Sequence, residues 1–203
     1  MKTIFMFTLI FTMLFISFSN NAFAKSYRIK NSSIKNNIYF VKLILKNKYN
    51  LPIIALNTKK FSTFSQVKKV LQKFGKYTII SSNIITTLNN INCINSNVKE
   101  TSYISSSSGT LLSNLKHYTT GVNILFTPKI INKSKIFENF KLYYTYFKRF
   151  VNRKYNNISI KRPLLGIVKL TSDSFLNTNY FTLISSVGNN GIYYIIFVKP
   201  ILN

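Results

Sequence analysis

The chain has 203 residues, 46% of them hydrophobic, enough for one ordinary domain with its own core. Against 28 lysines and arginines stand three acids, Glu100, Glu138 and Asp173, giving a formal charge of +25. With one histidine and one cysteine, Cys93, it has few groups for acid–base chemistry and cannot form an intrachain disulfide.

His117 has no carboxylate within ten residues along the chain, and reads as an edge or turn residue. No His, Cys or carboxylate cluster has metal-ligand spacing, and no Gly-rich phosphate loop is present, so no enzyme activity, metal or cofactor is expected. A positive field of this size favours an anionic surface: nucleic acid, phospholipid or lipopolysaccharide.

In chain order, residues 1–24 read as a secretory signal. Lys2 precedes an apolar run, and Ala22 and Ala24 occupy the small-residue positions before cleavage ahead of Lys25. Loss of Lys2 leaves 25 − 1 = +24 on an exported chain, for which a membrane surface is a better partner than nucleic acid. No Cys follows the cleavage region to carry a lipid. No later segment has the ~18 apolar residues of a spanning helix, although a barrel strand needs only ~9–11.

Residues 25–59 form a basic lead-in and the first strands, with two strands expected in "IYFVKLILKNKYNLPIIALN", broken near Pro52. The period then changes. Phe64, Val67, Val70, Leu71 and Phe74 recur at helical spacing, Thr63 and Gln66 form a capping box, and Gly75 suits the helix end. "YTIISSNIITTLNN" reads as strand, Ser-Ser-Asn break, strand and Asn-rich turn. Residues 96–121 are Ser/Thr-rich, an extended hairpin or loop. In "GVNILFTPKI", apolar Val122, Ile124 and Phe126 alternate with Asn123, Leu125 and Thr127, and Pro128 belongs at a strand end or edge. "FKLYYTYFKRFVNRKY" interleaves aromatics with bases. Two final strands flank a Gly/Asn cluster at 187–191, and the last, apolar on both faces, needs cover on both sides from two sheets or from a sheet and lipid. The fold class is mainly β with one short helix (α+β), its strands left with edges to pair.

The order of these pieces resembles the secretin family, outer-membrane channel subunits of type II and type III secretion and of type IV pili. Gly75, Ser81, Ser82, Thr86, Thr87, Leu88, Asn89 and Asn90 match the family's helix–strand segment. Val98, Tyr103 and the serines 105–108 resemble the gate entrance of the type IVb pilus branch, and Thr119, Thr120, Gly121 and Pro128 the return strand. "ISIKRP", "SDSF" and "IYYIIFVKPIL" are similar to the closing segments.

The resemblance implies a channel domain over 60–203 with a gate at about 91–120, and strands after 130 in the wall of a multimeric β-barrel. It implies a homo-oligomeric ring in contact with outer-membrane lipid and with secretion or pilus machinery proteins. Its role would be passive passage of protein or a pilus fibre, here in a minimal or degenerate form. Two other readings remain: a secreted basic β-sandwich binding protein, and a nucleic-acid-binding protein, which the export signal disfavours.

Overall fold

The computed structural model describes residues 32–46, 56, 60–106, 115–155 and 158–203. Its organising strand is β1 (Ser33–Leu45), whose buried face changes part-way along. Ile34, Asn36, Ile38 and Phe40 are buried first, then Val41, Leu43 and Leu45. Alternate side chains of a strand point to opposite faces, so β1 passes from beneath one cover to beneath another.

The first cover is a second sheet. β2 (Gly75–Leu88), β1, β8 (Ile192–Leu202) and β7 (Thr182–Asn189) form one antiparallel sheet in that order; β3 (Cys93–Ile104), β4 (Leu115–Asn132), β5 (Lys135–Tyr155) and β6 (Ile158–Asn177) form the other. Ile38, Phe40, Ile85, Ile196 and Val198 of the first pack against Val122, Ile124, Phe126, Phe140, Leu142 and Leu170 of the second. The expected fold class, mainly antiparallel β with a helix, is the one observed.

The second cover is helix α1 (Phe64–Phe74). It lays Phe64, Val67 and Leu71 over Val41, Leu43, Ile195 and Phe197, and Tyr39 stacks on Phe64 with centroids 3.6 Å apart. The capping box forms, with Gln66 Oε1 accepting the backbone N–H of Ser62 at 2.9 Å and of Thr63 at 3.4 Å. Gly75 is extended, at φ 172°, so it is not a left-handed cap. A Cβ there would lie 1.9 Å from the Ile44 carbonyl oxygen, and close strand approach is what requires glycine. β8 is covered on both faces, by the second sheet over Ile196 and Val198 and by α1 over Ile195 and Phe197. The second cover is thus a helix, where another sheet or lipid was expected.

Two further expectations change. The Ser-Ser-Asn break is a bulge: Phe40 pairs with Ser81 and Val41 with Ile79, so β2 continues past the extra Ile80. Of the segment expected as a second strand around Pro52, Leu56 is described, and it is helical and buried. At the β7–β8 hairpin Asn190 (φ 52°) and Gly191 (φ 78°) make the two-residue turn with both φ positive that a twisted hairpin favours.

One polar contact ties the sheets through the core. Asn36 Nδ2 on β1 donates to Glu138 Oε1 on β5 at 2.7 Å, both residues being almost wholly buried. Burial pushes the Glu138 carboxyl from the ordinary 4.5 to about 7, against a smaller opposing pull from the Asn36 hydrogen bond. Asn36 Oδ1 and Glu138 Oε2 both lack a donor. Protonation relieves the cost of burying the charge while Oε1 goes on accepting from Asn36.

Candidate functional site

The positions singled out by sequence fall into two groups, at the two ends of the β3/β4 hairpin. Ala22, Ala24 and Lys25 lie outside the described residues, as do Ser107 and Ser108.

The base is the turn after β2. Thr86, Thr87 and Leu88 close the β1–β2 ladder opposite Lys35, Ile34 and Ser33. Asn90 then takes a left-handed conformation (φ 61°), and its N–H donates to the Pro128 carbonyl at 2.7 Å. Asn89 Oδ1 accepts the Ile130 N–H at 2.8 Å. Two motif pieces far apart in sequence thus meet here and join the sheets. Pro128 lies within β4 opposite Glu138, where β3, whose pairing begins at Cys93–Phe126, no longer reaches. β4 is locally an edge there, so the missing N–H costs no β3–β4 ladder bond.

The stalk begins at Gly121, the last β4 residue paired with β5 (to Thr145) and the partner of Val98 on β3. Its φ is +135°, and a Cβ would sit 2.2 Å from Asn97 O. Only glycine lets β4 leave β5 while still pairing closely with β3. Beyond it Thr120 faces Lys99, Thr119 faces Glu100, and Tyr103 lies 6.0 Å from the Tyr118 ring.

The β3/β4 and β5/β6 hairpins meet again distally. Tyr118 stacks on Phe147 at 5.5 Å, Tyr103 contacts Phe150 at 5.5 Å, and Phe147 contacts Phe150 at 5.0 Å. The Lys161 N–H donates to the Ser105 carbonyl at 2.6 Å. Below this cluster a cleft of about 540 Å³ is lined by Ile80, Asn97, Lys99, Thr120, Tyr144 and Tyr146. Sequence reasoning missed these contacts, although the aromatic–basic run of β5 was visible.

The chemistry of these groups is quiet. β-pairing brings Glu100 and Ser102 to His117, but both meet the same nitrogen, Nδ1, at 3.6 and 3.0 Å. A nucleophile relay needs serine and acid on opposite ring nitrogens. Burial raises the Cys93 thiol and the Tyr144 phenol, and burial with a Tyr146 hydrogen bond pushes Tyr194 up to about 12, so these groups stay neutral near pH 7.

Two solved structures are similar to this chain in fold. The InvG secretin-domain β-barrel of the Salmonella SPI-1 injectisome matches 90% of this chain and 66% of its own, with TM-score 0.51 and 10% identity. A chain of the Klebsiella pneumoniae type II secretion system outer membrane complex of PulD, PulS and the PulC HR domain matches 92% of this chain and 43% of its own, with TM-score 0.51 and 8% identity. The chain has the fold of a secretin domain. It spans less than two thirds of either of these longer chains. No protein-family model and no curated protein matches the sequence.

Proposed function

We propose that this chain is a non-enzymatic subunit of a homo-oligomeric secretin-type channel at the outer membrane, serving protein secretion or passage of a pilus fibre. The observation that carries the reading is where its apolar surface lies. Ile84 on β2, Ile94 on β3, and Ile167 and Phe175 on β6 are each at least 66% exposed, and all sit on strands that end a sheet. Such strands invite pairing with another chain, and here that pairing would also cover the apolar surface.

The topology suits a ring. Each sheet has four strands, all antiparallel, so its two edge strands run in opposite directions. Rotation places β6 of one copy beside β3 of the next, and β7 beside β2, with the alternation unbroken. In this reading the β3/β4 hairpin is the gate, pivoting at Gly121, and the Asn89–Pro128 joint is its fixed base. Val98, Tyr103 and the serine run favour the type IVb pilus branch. Lipid contact is confined to the rim, because each Lys or Arg at bilayer mid-depth would cost roughly 2–4 kcal/mol. Machinery proteins would meet the ring elsewhere.

Envelope fractionation followed by unheated gel electrophoresis tests the assembly. A membrane-bound multimer near the top of the gel is the expected result, and a soluble monomer overturns it. The secreted β-sandwich is the reading a monomer would favour, since one chain already packs two sheets over a common core.

A further inference from the structure

The distal half of the β5/β6 hairpin has a composition of its own. Neither strand carries an acid between Glu138 and Asp173, while Lys148, Arg149, Arg153, Lys154, Lys161 and Arg162 all stand exposed. Among the described residues no carboxylate pairs with them. Glu100 lies beside His117, Glu138 is buried against Asn36, and Asp173 accepts from Asn139 Nδ2 at 2.6 Å. The field of these cations is therefore met by no anion of the same chain.

The aromatic groups narrow the partner. Proteins that hold single-stranded nucleic acid offer free ring faces for bases to stack on. Here Phe147 and Phe150 pack on each other and on Tyr118 and Tyr103, and Lys161 Nζ sits 4.3 Å over the Phe150 ring. On the face turned away from those rings, the register sets Leu164, 40% exposed, opposite Arg149 and on the same side as Arg153 and Arg162, while Phe147, 38% exposed, lies on the ring side. Apolar side chains bordered by cations match the boundary between acyl chains and phosphates.

We propose that the distal β5/β6 hairpin docks on anionic phospholipid headgroups, its cations contacting phosphates and its exposed apolar residues resting at the acyl boundary. The charges hold it at headgroup depth and keep it from spanning. The surface belongs to a single copy, so its test is read apart from ring formation.

The test is sedimentation of the full chain with phosphatidylcholine vesicles, with and without phosphatidylglycerol. Binding requires phosphatidylglycerol and weakens as salt rises. Arg149→Glu with Lys154→Glu and Arg162→Glu lowers it roughly fiftyfold or more. Lys69→Glu with Lys73→Glu and Lys76→Glu, the same change in net charge on α1 and the start of β2, leaves it within about threefold. Arg149→Lys with Lys154→Arg and Arg162→Lys preserves it. Equal loss in the two reversal variants overturns the proposal, as does equal binding to neutral vesicles. Displacement from vesicles by a single-stranded oligonucleotide at matched phosphate concentration overturns it in favour of nucleic acid. If the tip reversal does not fold, the parent chain's dependence on phosphatidylglycerol and salt, together with the α1 reversal, decides the question.

Discussion

The Gly121–Thr145 pair divides the second sheet into two regions built from the same four strands. On the base side lie all of its buried apolar residues among those described: Val122 to Ile130 on β4, Ile136 to Leu142 on β5, and Val168 to Leu176 on β6. On the distal side the ladders β3–β4 and β5–β6 continue, and although Tyr146 still meets Tyr194 of β8, no apolar side chain there is fully buried among the described residues. Four aromatic rings and one backbone hydrogen bond hold the two hairpins together there. The distal region lacks the β4–β5 ladder as well as a buried face, so the two regions differ in both pairing and side-chain burial. A ladder with one buried face is fixed, and a ladder held by a few half-exposed rings can open at low cost.

The contrast is sharpest for single phenylalanines. Phe40, fully buried between the sheets and flanked by the Tyr144 and Tyr194 rings, should lose about 3–5 kcal/mol of stability on substitution by alanine. Urea unfolding of Phe40→Ala measures it. A change as small as that expected for Phe150→Ala, about 1 kcal/mol, would erase the division between base and distal regions.

The next effect comes from pH and is confined to the base. Glu138 has a folded value of about 7 against an ordinary 4.5, so between these values the folded chain holds a proton that the unfolded chain has released. Its contribution is complete below about pH 4.5 and is lost as pH rises through about 7, a decline of about 3 kcal/mol. The neighbours facing Glu138, namely Pro128, Ser174, Ile136, Phe140 and Asn36, are not titratable at these pH values. Glu138→Gln removes the titrating group, so unfolding free energies measured from pH 4 to 8 should lose this decline. A variant with the parent's slope would place the titration elsewhere.

At the boundary itself, Gly121→Ala forces a Cβ against Asn97 O and Val98 Cα and strains a positive φ, costing about 1–3 kcal/mol. The strain falls on the β3/β4 pairing, so hydrogen exchange should accelerate along the distal hairpin and leave β1 and β8 protected. Uniform acceleration would mean that the two regions open as one.

The base was more legible in sequence than the distal part, for physical reasons. Alternation marked the core face of β4, helical period and the Thr63–Gln66 box marked α1, and the Gly/Asn cluster marked the last hairpin. Strand partners were not legible. Nothing in β1 indicates that it pairs with β8 at the other end of the chain, because pairing depends on a shared core rather than on local pattern. Ser81, Ser82 and Asn83 read as a break because such residues favour turns, yet they lie on an edge strand where a bulge accommodates them. For the candidate site, sequence order supplied its expected members. Their division into a base around Asn90 and Pro128 and a stalk around Val98 and Gly121 needed the register. So did the approach of Glu100 to His117.

The smallest expected effect separates the regions most directly. Tyr118 on the β4 side and Phe147 on the β5 side stack at 5.5 Å, beyond the last β4–β5 pair, so their contact holds the hairpins together without contributing to the core. Tyr118→Ala and Phe147→Ala should each change global stability little. Their double-mutant cycle, read from the opening free energy of distal amides, should give a coupling of about 0.5–1.5 kcal/mol. The same cycle read from β1 amides should give no coupling, because the base unfolds only with the whole domain. Coupling of equal size at both sites would make the aromatic cluster part of the core, and the proposed gate movement of the β3/β4 hairpin would fall with it.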